Sequence, residues 1–397
     1  MLASLRRHYG EVQLEASWLI RSRYPQFVTA HEPALAADDV PVFVFHSFEP
    51  AEFEAQLRYL VDNGYQTLSC DTFLAHLQGE KVRPKSVLLT IDDGRASVWS
   101  VGWPLLRKYG LRAVVFLIPG YMSEGEEAGP TLEDVWSGRL AAERLPRLDP
   151  ALMTWREVRK AVESGVLEVG SHTLYHHPVP TSDRIVGYLS PGEGRALFDL
   201  PIEPGWEHDI AWGERGRLYG LPIYDSAPLM SGLPCYRPDP DLAHRCIAQV
   251  TAAGGAQFFR SRQWRKDLDQ LVAEHRRRNG EHGRVLDPSE QRAAMVDDLR
   301  RSRKLLEERL ERPVRHFCFP YTAGSDQAVD AAKEAGYLTS FWGVLADRRT
   351  NRPGEDPYYC PRLKADYIFR LPGRGRRALS AILSDKLKRR LSGRPVY

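Results

Sequence analysis

Two short polar motifs, each at the end of an apolar run, carry the residue types of a metal-centred hydrolytic site. The first is Asp92-Asp93-Gly94, and the second, about eighty residues later, contains His172 and His176. Imidazole and carboxylate ligands with open coordination positions suit Zn²⁺, and also Co²⁺, Ni²⁺, Mn²⁺ or Fe²⁺. A carboxylate beside the ligating one could take a proton from water. The two motifs together therefore predict a divalent-metal hydrolase.

The elements that must position these motifs alternate between strand and helix. Hydrophobic patterns predict strands over 41–46, 86–91, 112–118, from 167, 314–319 and 338–344, and helices over 50–63, 96–109, 155–164, 288–311 and 325–335. Strict alternation of this kind predicts a parallel sheet or barrel. Both motifs follow strand ends, which such folds gather at one edge. The acids and the imidazoles are therefore expected to meet.

Residues 181–287 interrupt this alternation. The segment is rich in Pro and Gly but also carries many aromatic residues, which is untypical of a disordered linker. We therefore predict an ordered insertion. Its aromatic residues could stack on sugar rings or form the insertion's own core, and the core interpretation is favoured for most of them.

The charge of the chain is unevenly distributed. Residues 362–397 carry a net charge of +9, which leaves −6 on the rest of the chain. Within this segment Leu379, Leu383, Leu387 and Leu391 recur every fourth residue, which predicts a cationic amphipathic helix. The favoured interpretation docks its leucines on the barrel and leaves its charges in water. The alternatives are contact with an anionic membrane leaflet or an arm for nucleic acid, of which nucleic acid is not expected.

Cysteine usage and the amino-terminal composition bear on location. The five cysteines are scattered and form no CxxC pair, so neither a disulfide framework nor a thiolate zinc site is expected from spacing. Residues 1–30 lack an apolar stretch followed by a small-residue cleavage site, and no window resembles a membrane span. We therefore expect a cytoplasmic protein, with peripheral contact at the inner leaflet as the alternative.

The chain resembles a known family, the polysaccharide deacetylases of carbohydrate esterase family 4. The family's motif Thr-Phe-Asp-Asp-Gly is matched here by Thr-Ile-Asp-Asp-Gly at 90–94, and its motif His-Ser/Thr-x-x-His by residues 172–176. A third motif, an Arg before an aromatic Pro-Tyr loop, is matched at 315–321. Residues 42–69 also look like the entry segment of the branch that acts on poly-N-acetylglucosamine. The resemblance covers 41–344 except the insertion.

The resemblance implies a fold, a domain organisation and an activity. The fold would be a distorted (β/α)7-type, TIM-like barrel at 41–361, between an amino-terminal extension at 1–40 and a basic amphipathic tail at 362–397. The activity would be the metal-dependent removal of N-acetyl or other small acyl groups. The substrate would be an acylated amino sugar in a glycan, a glycolipid or a nucleotide-sugar precursor.

The resemblance also implies roles for residues of the two main motifs. Asp92 would be the general base, and Asp93, His172 and His176 would hold the metal, with Zn²⁺ as the first expectation. The second motif continues into His177, which could replace His176 as a ligand because some branches place that ligand one residue later. His176 is favoured.

The third motif implies the remaining site residues. Pro320 and Tyr321 would line the site, the latter offering its backbone amide to the oxyanion, and Arg315 would orient Asp92. The family's late histidine motif, which usually supplies the general acid, has no match. The acid is therefore expected to be His46, His316 or Asp92 itself.

Two other functions stay open. One is a related barrel amidase acting on non-sugar C–N bonds, which substrate profiling would distinguish. The other is a catalytically inactive barrel that binds glycan or nucleic acid. The intact acids and histidines of the two motifs argue against the inactive barrel.

Overall fold

The computed structural model describes residues 15, 17–145, 151–192, 197–200, 215–279 and 283–391. The chain divides into two compact units. The first comprises 1–174, 300–322 and 332–397, and the second comprises 175–299 and 323–331. The second unit therefore begins before the insertion predicted at 181 and continues past its predicted end.

The first unit is built on one curled, all-parallel sheet. Its strands are β1 (Val42–Phe45), β2 (Gln66–Thr67), β3 (Ser86–Ile91), β4 (Ala113–Leu117), β5 (Leu167–Ser171), β10 (His316–Cys318), β11 (Thr339–Phe341) and β12 (Leu363–Lys364). Seven of them follow the order β11-β10-β5-β4-β3-β1-β12, and β2 pairs with the start of β3. The α/β barrel fold predicted from the sequence is confirmed.

Backbone hydrogen bonds also join the two edges of this sheet. The amide of Cys360 donates to Ser340 O at 3.1 Å, that of Trp342 donates to Cys360 O at 2.9 Å, and that of Arg362 donates to Gly343 O at 3.2 Å. Residues 360–362 lead directly into β12, which pairs with β1. Arg362 therefore lies at the seam of the barrel, which is the place where the two edges of the sheet meet.

Helices separate the strands along the chain, and they belong to both units. They are α1 (Gln26–Thr29), α2 (Pro50–Asp62), α3 (Cys70–Leu77), α4 (Trp103–Tyr109), α5 (Leu132–Trp136), α6 (Trp155–Glu163), α7 (Pro240–Ala252), α8 (Trp264–Asn279), α9 (Pro288–Leu310), α10 (Asp326–Glu334) and α11 (Leu379–Leu391). Every residue of β3 and β4 is buried, as expected for parallel strands covered by helices. Within the described ranges, no helix combines the length and the apolar run needed to cross a membrane.

The helix predicted over 96–109 is present, but its first half contains a π-helical turn. Residues Val98–Gly102 form a π-helical turn in which the Trp103 amide donates to Val98 O. Pro104 follows and has no amide hydrogen to continue an α-helical ladder through this point. The regular helix α4 therefore begins only at Trp103.

The second unit has a small core of its own. It contains the antiparallel pairs β6 (Pro178–Tyr188) with β7 (Pro222–Pro228) and β8 (Tyr236–Arg237) with β9 (Arg284–Val285). Tyr188, Cys246 and Leu268 are buried in a cluster between β6, α7 and α8, against which Phe258, Phe259 and Trp264 pack. These aromatic residues form the core of the insertion, as favoured from the sequence.

The boundary predicted at 361/362 is wrong. β12 pairs with β1, and Arg362 is buried in the first unit, so 362–397 does not begin as a tail. The predicted helix is present as α11, with the side chain of Leu391 and residues 392–397 outside the described residues.

Basic residues of α11 face the barrel, contrary to the expectation that leucines dock and charges are solvated. Lys386 is buried and pairs with Glu15, and Arg389 pairs with Glu52 and Asp366. Leu387, in contrast, is 49% exposed. These ion pairs explain why the basic segment lies on the chain's own acidic surface, and we propose no membrane contact for it.

Candidate active site

The acidic motif lies on a tight turn directly after β3. The amide of Asp92 donates to Phe45 O of β1 at 2.8 Å, which fixes the start of the turn. Asp93 and Gly94 then both adopt positive φ, 69° and 76°. A Cβ on Gly94 would overlap the side chain of Leu117 on β4, so glycine is required there. The turn holds both carboxylates at the carboxyl end of the sheet.

Asp92 is held by a buried arginine from the last strand. Arg362 donates to both carboxylate oxygens, Nη1 to Oδ1 at 2.7 Å and Nη2 to Oδ2 at 2.8 Å, and neither side chain is more than 3% exposed. Nη1 also lies 3.2 Å from Thr90 Oγ1, and Nε donates to Trp342 O at 2.8 Å. Burial alone would raise the pKa of Asp92, but the Arg362 charge outweighs it and holds that pKa well below its ordinary value. Asp92 is therefore an ionised acceptor of fixed orientation.

Arg315 does not occupy this position. Its Nη1 donates to Asp71 Oδ2 at 3.2 Å, and its side chain is 46% exposed. The following strand explains the difference, because alternate residues face opposite sides. Cys318 of β10 directs its Sγ toward Asp92 Oδ1 at 3.7 Å. Arg315 is three positions earlier and so lies on the other face, which corrects the predicted partnership with Asp92.

Asp93 and His172 approach each other with complementary atoms. His172 Nδ1 lies 2.9 Å from Cys318 O, so its Nδ1–H can donate to that carbonyl and leave the Nε2 lone pair free to bind. Nε2 lies 3.7 Å from Asp93 Oδ1 and 4.0 Å from Asp92 Oδ2. Asp93 Oδ2 accepts from Arg95 Nε at 2.8 Å, so its other oxygen is the one directed at the imidazole. This donor arrangement suits a divalent metal ligand pair.

His46 follows β1 beside the same carboxylate. Its Nε2 lies 3.8 Å from Asp92 Oδ2, and its side chain is 26% exposed. Burial lowers the pKa of His46, although Asp93 and Asp92 oppose that effect. His46 also lines a cavity of about 400 Å³ with Phe48 and Gln56. It is therefore the predicted candidate acid that lies next to both Asp92 and open space.

The second motif crosses the division between the two units, with His172 in the first and His176 in the second. His176 is buried at positive φ, 63°, with Nδ1 3.3 Å from Phe198 O and 3.7 Å from Asp199 Oδ1. His177 has its Nδ1 3.2 Å from Leu200 O, and burial, reinforced by His176, lowers its pKa to about 3. Either histidine could present a neutral Nε2, so the choice between them stays a prediction.

The loop after β10 contains the other predicted lining residues. Pro320–Thr322 forms a tight, non-helical turn in which Pro320 is buried and Tyr321 is 42% exposed. Tyr321 and Thr322 both have positive φ, 55° and 56°. The role of the Tyr321 amide as an oxyanion donor stays a prediction.

His316 lies elsewhere and is not a candidate acid for this site. As the first residue of β10, it is at the amino end of the strand, with Nδ1 2.9 Å from Thr339 Oγ1 and Nε2 3.1 Å from Asp71 Oδ1. Asp92 and His172 follow the carboxyl ends of their strands. The two locations are at opposite ends of the sheet.

Sequence reasoning missed three side chains of this site, Arg95, Cys318 and Arg362. Arg95 directly follows the acidic motif, so its contact with Asp93 could have been predicted from the sequence. No sequence pattern pointed to Arg362, because β12 is two residues long and the contact with Asp92 joins residues 270 positions apart.

The part of the chain that contains both motifs is similar to known proteins. Residues 79–187 match the family model described as polysaccharide deacetylase, and this segment contains both the acidic and the histidine motif. The match covers about a quarter of the chain, and over this segment the chain is similar to the polysaccharide deacetylases. The familial match thus includes Asp92, Asp93, His172 and His176, whereas Arg362 lies outside the matched segment.

Curated relatives agree with this assignment. One is YxkH of Bacillus subtilis, whose name assigns it to the polysaccharide deacetylases, with 38% identity over 88 residues, or 20% of this chain and 32% of that protein. The poly-β-1,6-N-acetyl-D-glucosamine N-deacetylase of Escherichia coli K12 is 28% identical over 134 residues, or 34% of this chain and 18% of its own length. The Staphylococcus aureus MRSA252 enzyme of the same name is 22% identical over 139 residues, 35% of this chain and 41% of its length. The matched regions thus span less than half of each relative.

Solved structures of deacetylases align with much of this chain. The de-N-acetylase from Aggregatibacter actinomycetemcomitans aligns with a TM-score of 0.49 and 20% identity, over 83% of this chain and 96% of that one. The BpsB deacetylase domain from Bordetella bronchiseptica aligns with a TM-score of 0.48 and 18% identity, over 83% and 97%.

Proposed function

We propose that this chain is a polysaccharide deacetylase, a metal-dependent hydrolase that removes N-acetyl or other small acyl groups from an amino-sugar-containing glycan or glycan precursor. The observation that carries the proposal is the buried, ionised Asp92 beside Asp93 and His172, in the order and spacing of the family motifs. Relatives named as deacetylases of poly-β-1,6-N-acetyl-D-glucosamine support a sugar amide as the substrate.

Asp93, His172 and His176 would hold the divalent ion, for which Zn²⁺ is the first expectation. The set of one carboxylate and two imidazoles fits such an ion, and the Cys318 carbonyl orients His172 as an acceptor toward Asp93. A bound ion would supply Lewis-acid activation of water and of the acyl carbonyl.

Asp92 would act as the general base, because it is ionised, buried and fixed by Arg362. It would take one proton from the attacking water, and the leaving amine must gain one proton. His46, 3.8 Å from Asp92, is placed to pass that proton toward the cavity that it lines. Tyr321, through its backbone amide, and Pro320 would complete the site.

Elemental analysis combined with acetate release tests the proposal. Substrates would be N-acetylglucosamine oligomers, before and after chelation and metal add-back. We expect chelation to abolish acetate release and one divalent ion to restore it. Bound metal without acetate release from any sugar would refute the sugar deacetylase and favour an amidase for other C–N bonds.

Substitution separates the base from the ligands. Asp92→Asn should leave metal content nearly unchanged and reduce turnover by at least about 100-fold, because the amide cannot accept the proton. His172→Ala should lose the metal. Wild-type turnover in Asp92→Asn would remove Asp92 as the base.

A matched pair of variants decides the remaining ligand. His176→Ala should lose the metal, whereas His177→Ala should keep it and change turnover only modestly. The reverse result would move the ligand to His177.

A further inference from the structure

A second group of ligand-type side chains lies at the end of the parallel sheet opposite the candidate active site. It comprises Cys70, Asp71, Glu168 and His316, which we call the strand-start cluster. The first three residues belong to the amino ends of α3 and β5, and His316 begins β10. Cys70 Sγ, a Glu168 oxygen and a His316 nitrogen all lie within 4.8 Å of one another.

Strand geometry explains why the barrel has polar groups at both ends. Glu168 precedes His172 by four residues, so the two face the same side and are separated by about 13 Å at 3.3 Å per residue. His316 and Cys318 of β10 also face one side, two residues or about 7 Å apart. One end of each strand therefore supplies the candidate active site and the other supplies the strand-start cluster.

Hydrogen bonds hold one atom of the His316, Glu168 and Asp71 side chains and leave another atom of each directed at the centre of the cluster. His316 Nδ1 lies 2.9 Å from Thr339 Oγ1, which leaves Nε2 facing Asp71 Oδ1 at 3.1 Å and Glu168 Oε1 at 3.8 Å. The Cys70 amide donates to Glu168 Oε2 at 2.7 Å, so Oε1 is the oxygen left for the centre.

The same holds for the second carboxylate. Arg315 donates to Asp71 Oδ2 at 3.2 Å, which leaves Oδ1 for the centre. Outer hydrogen bonds of this kind orient the ligands of metal sites. An ion could reach the centre, because Asp71, Glu168 and His316 line a cavity of about 350 Å³.

We propose that the strand-start cluster is a second metal site, binding Zn²⁺ or a similar borderline ion through Cys70, Asp71, Glu168 and His316. A thiolate, an imidazole and carboxylates suit zinc, and the ligand atoms of Cys70, Glu168 and His316 lie together, with the 55% exposed Asp71 completing the set through its contact with His316. Tetrahedral zinc places its ligand atoms about 3.3–3.8 Å apart, close to the 3.1 and 3.8 Å separations here. The ion would tie α3 to β5 and β10, at the barrel end associated with stability rather than chemistry.

Cobalt loading of the full chain tests this site without using activity. A thiolate bound to Co²⁺ gives an intense near-ultraviolet charge-transfer band, which a site of one carboxylate and two imidazoles lacks. We expect two Co²⁺ per chain and the band in the wild type. Cys70→Ser should bind one Co²⁺ and lose the band. Cys246→Ser, which changes a buried thiol among apolar residues, should behave as the wild type.

His172→Ala separates this inference from the proposed function. It should lose the catalytic ion but keep one Co²⁺ and the band, while Cys70→Ser should still release acetate. The proposal is overturned if the wild type shows no band, or if the band survives Cys70→Ser. Loss of the band in Cys318→Ser but not in Cys70→Ser would place the thiolate–metal contact beside Asp92 and also overturn it.

Glu168→Gln keeps the test decisive if Cys70→Ser does not fold. The amide oxygen can still accept from the Cys70 amide, but the negative charge directed at the centre is gone. We expect cobalt affinity at the thiolate site to fall by at least about tenfold, with the band recovered at higher Co²⁺. Unchanged affinity would overturn the proposal.

Discussion

Replacing Arg362 by lysine should separate the orientation of the candidate base from its charge. Arg362 makes two hydrogen bonds to Asp92 and one each to Thr90 and Trp342. Lysine keeps the positive charge, but its single nitrogen cannot bind both carboxylate oxygens and Trp342 O from one position. Asp92 would then be paired without being held in its orientation.

The expected magnitude follows from these contacts. Loss of one or two charge-assisted hydrogen bonds should cost about 2–3 kcal/mol of unfolding free energy. A displaced base should lower kcat by about 100-fold, or about 2.7 kcal/mol in activation free energy, with little change in KM or metal content. Arg362→Met should be worse, with about 3–5 kcal/mol lost, because it leaves Asp92 buried without its arginine.

Arg315→Lys is the matched control, because the sequence assigned to Arg315 the role that the structure gives to Arg362. Its half-exposed ion pair with Asp71 should contribute at most about 1 kcal/mol. We therefore expect kcat within about twofold of the wild type. Urea unfolding and acetate-release kinetics measure both quantities. Equal losses of kcat in Arg315→Lys and Arg362→Lys, or wild-type turnover in Arg362→Lys, would refute the reasoning.

Two further predictions concern stability and are measured by urea unfolding. Lys386→Ala removes the ammonium that pairs with the buried Glu15 and should cost about 3 kcal/mol, whereas Lys388→Ala, at a 76% exposed side chain on the same helix, should cost under about 0.5 kcal/mol. Equal losses would contradict the docked helix. Gly94→Ala should cost about 2–3 kcal/mol because positive φ and steric overlap combine, whereas Gly110→Ala, with positive φ but open space, should cost about 1 kcal/mol. A smaller cost at Gly94 than at Gly110 would contradict the argument from packing.

The sequence predicted the elements whose local pattern is strong. β3 matches its predicted bounds, 86–91, because a fully buried apolar run ends at two acids and a glycine. The acids and His172 meet as expected because parallel strands end at one edge. The helix α3 was not predicted, and β12 is too short to leave a hydrophobic period.

The arginine assignment shows where local reasoning stops. A motif near a strand fixes sequence position, but strand alternation decides which face a side chain takes, and Arg315 is on the wrong face for Asp92. The arginine that does reach Asp92 arrives through hydrogen bonds at the barrel seam, between residues far apart in the chain. Contacts of this kind follow from closure of the barrel, which no local pattern contains.

The basic carboxyl-terminal segment makes the same point about charge. Residues 362–397 carry a net charge of +9 and the rest of the chain carries −6. Electrostatic attraction within the chain therefore competes with attraction to an outside anionic surface. In the structure the basic residues pair within the chain. Lys386, Arg389 and Arg390 contact Glu15, Glu52 and Asp366. Leu387 is exposed, whereas Ile382 is buried beside the basic residues of the same helix. Hydrophobic periodicity predicted the helix correctly but missed that Lys386 and Arg389 share its buried side with Ile382, because the acidic residues beneath it pair with cations.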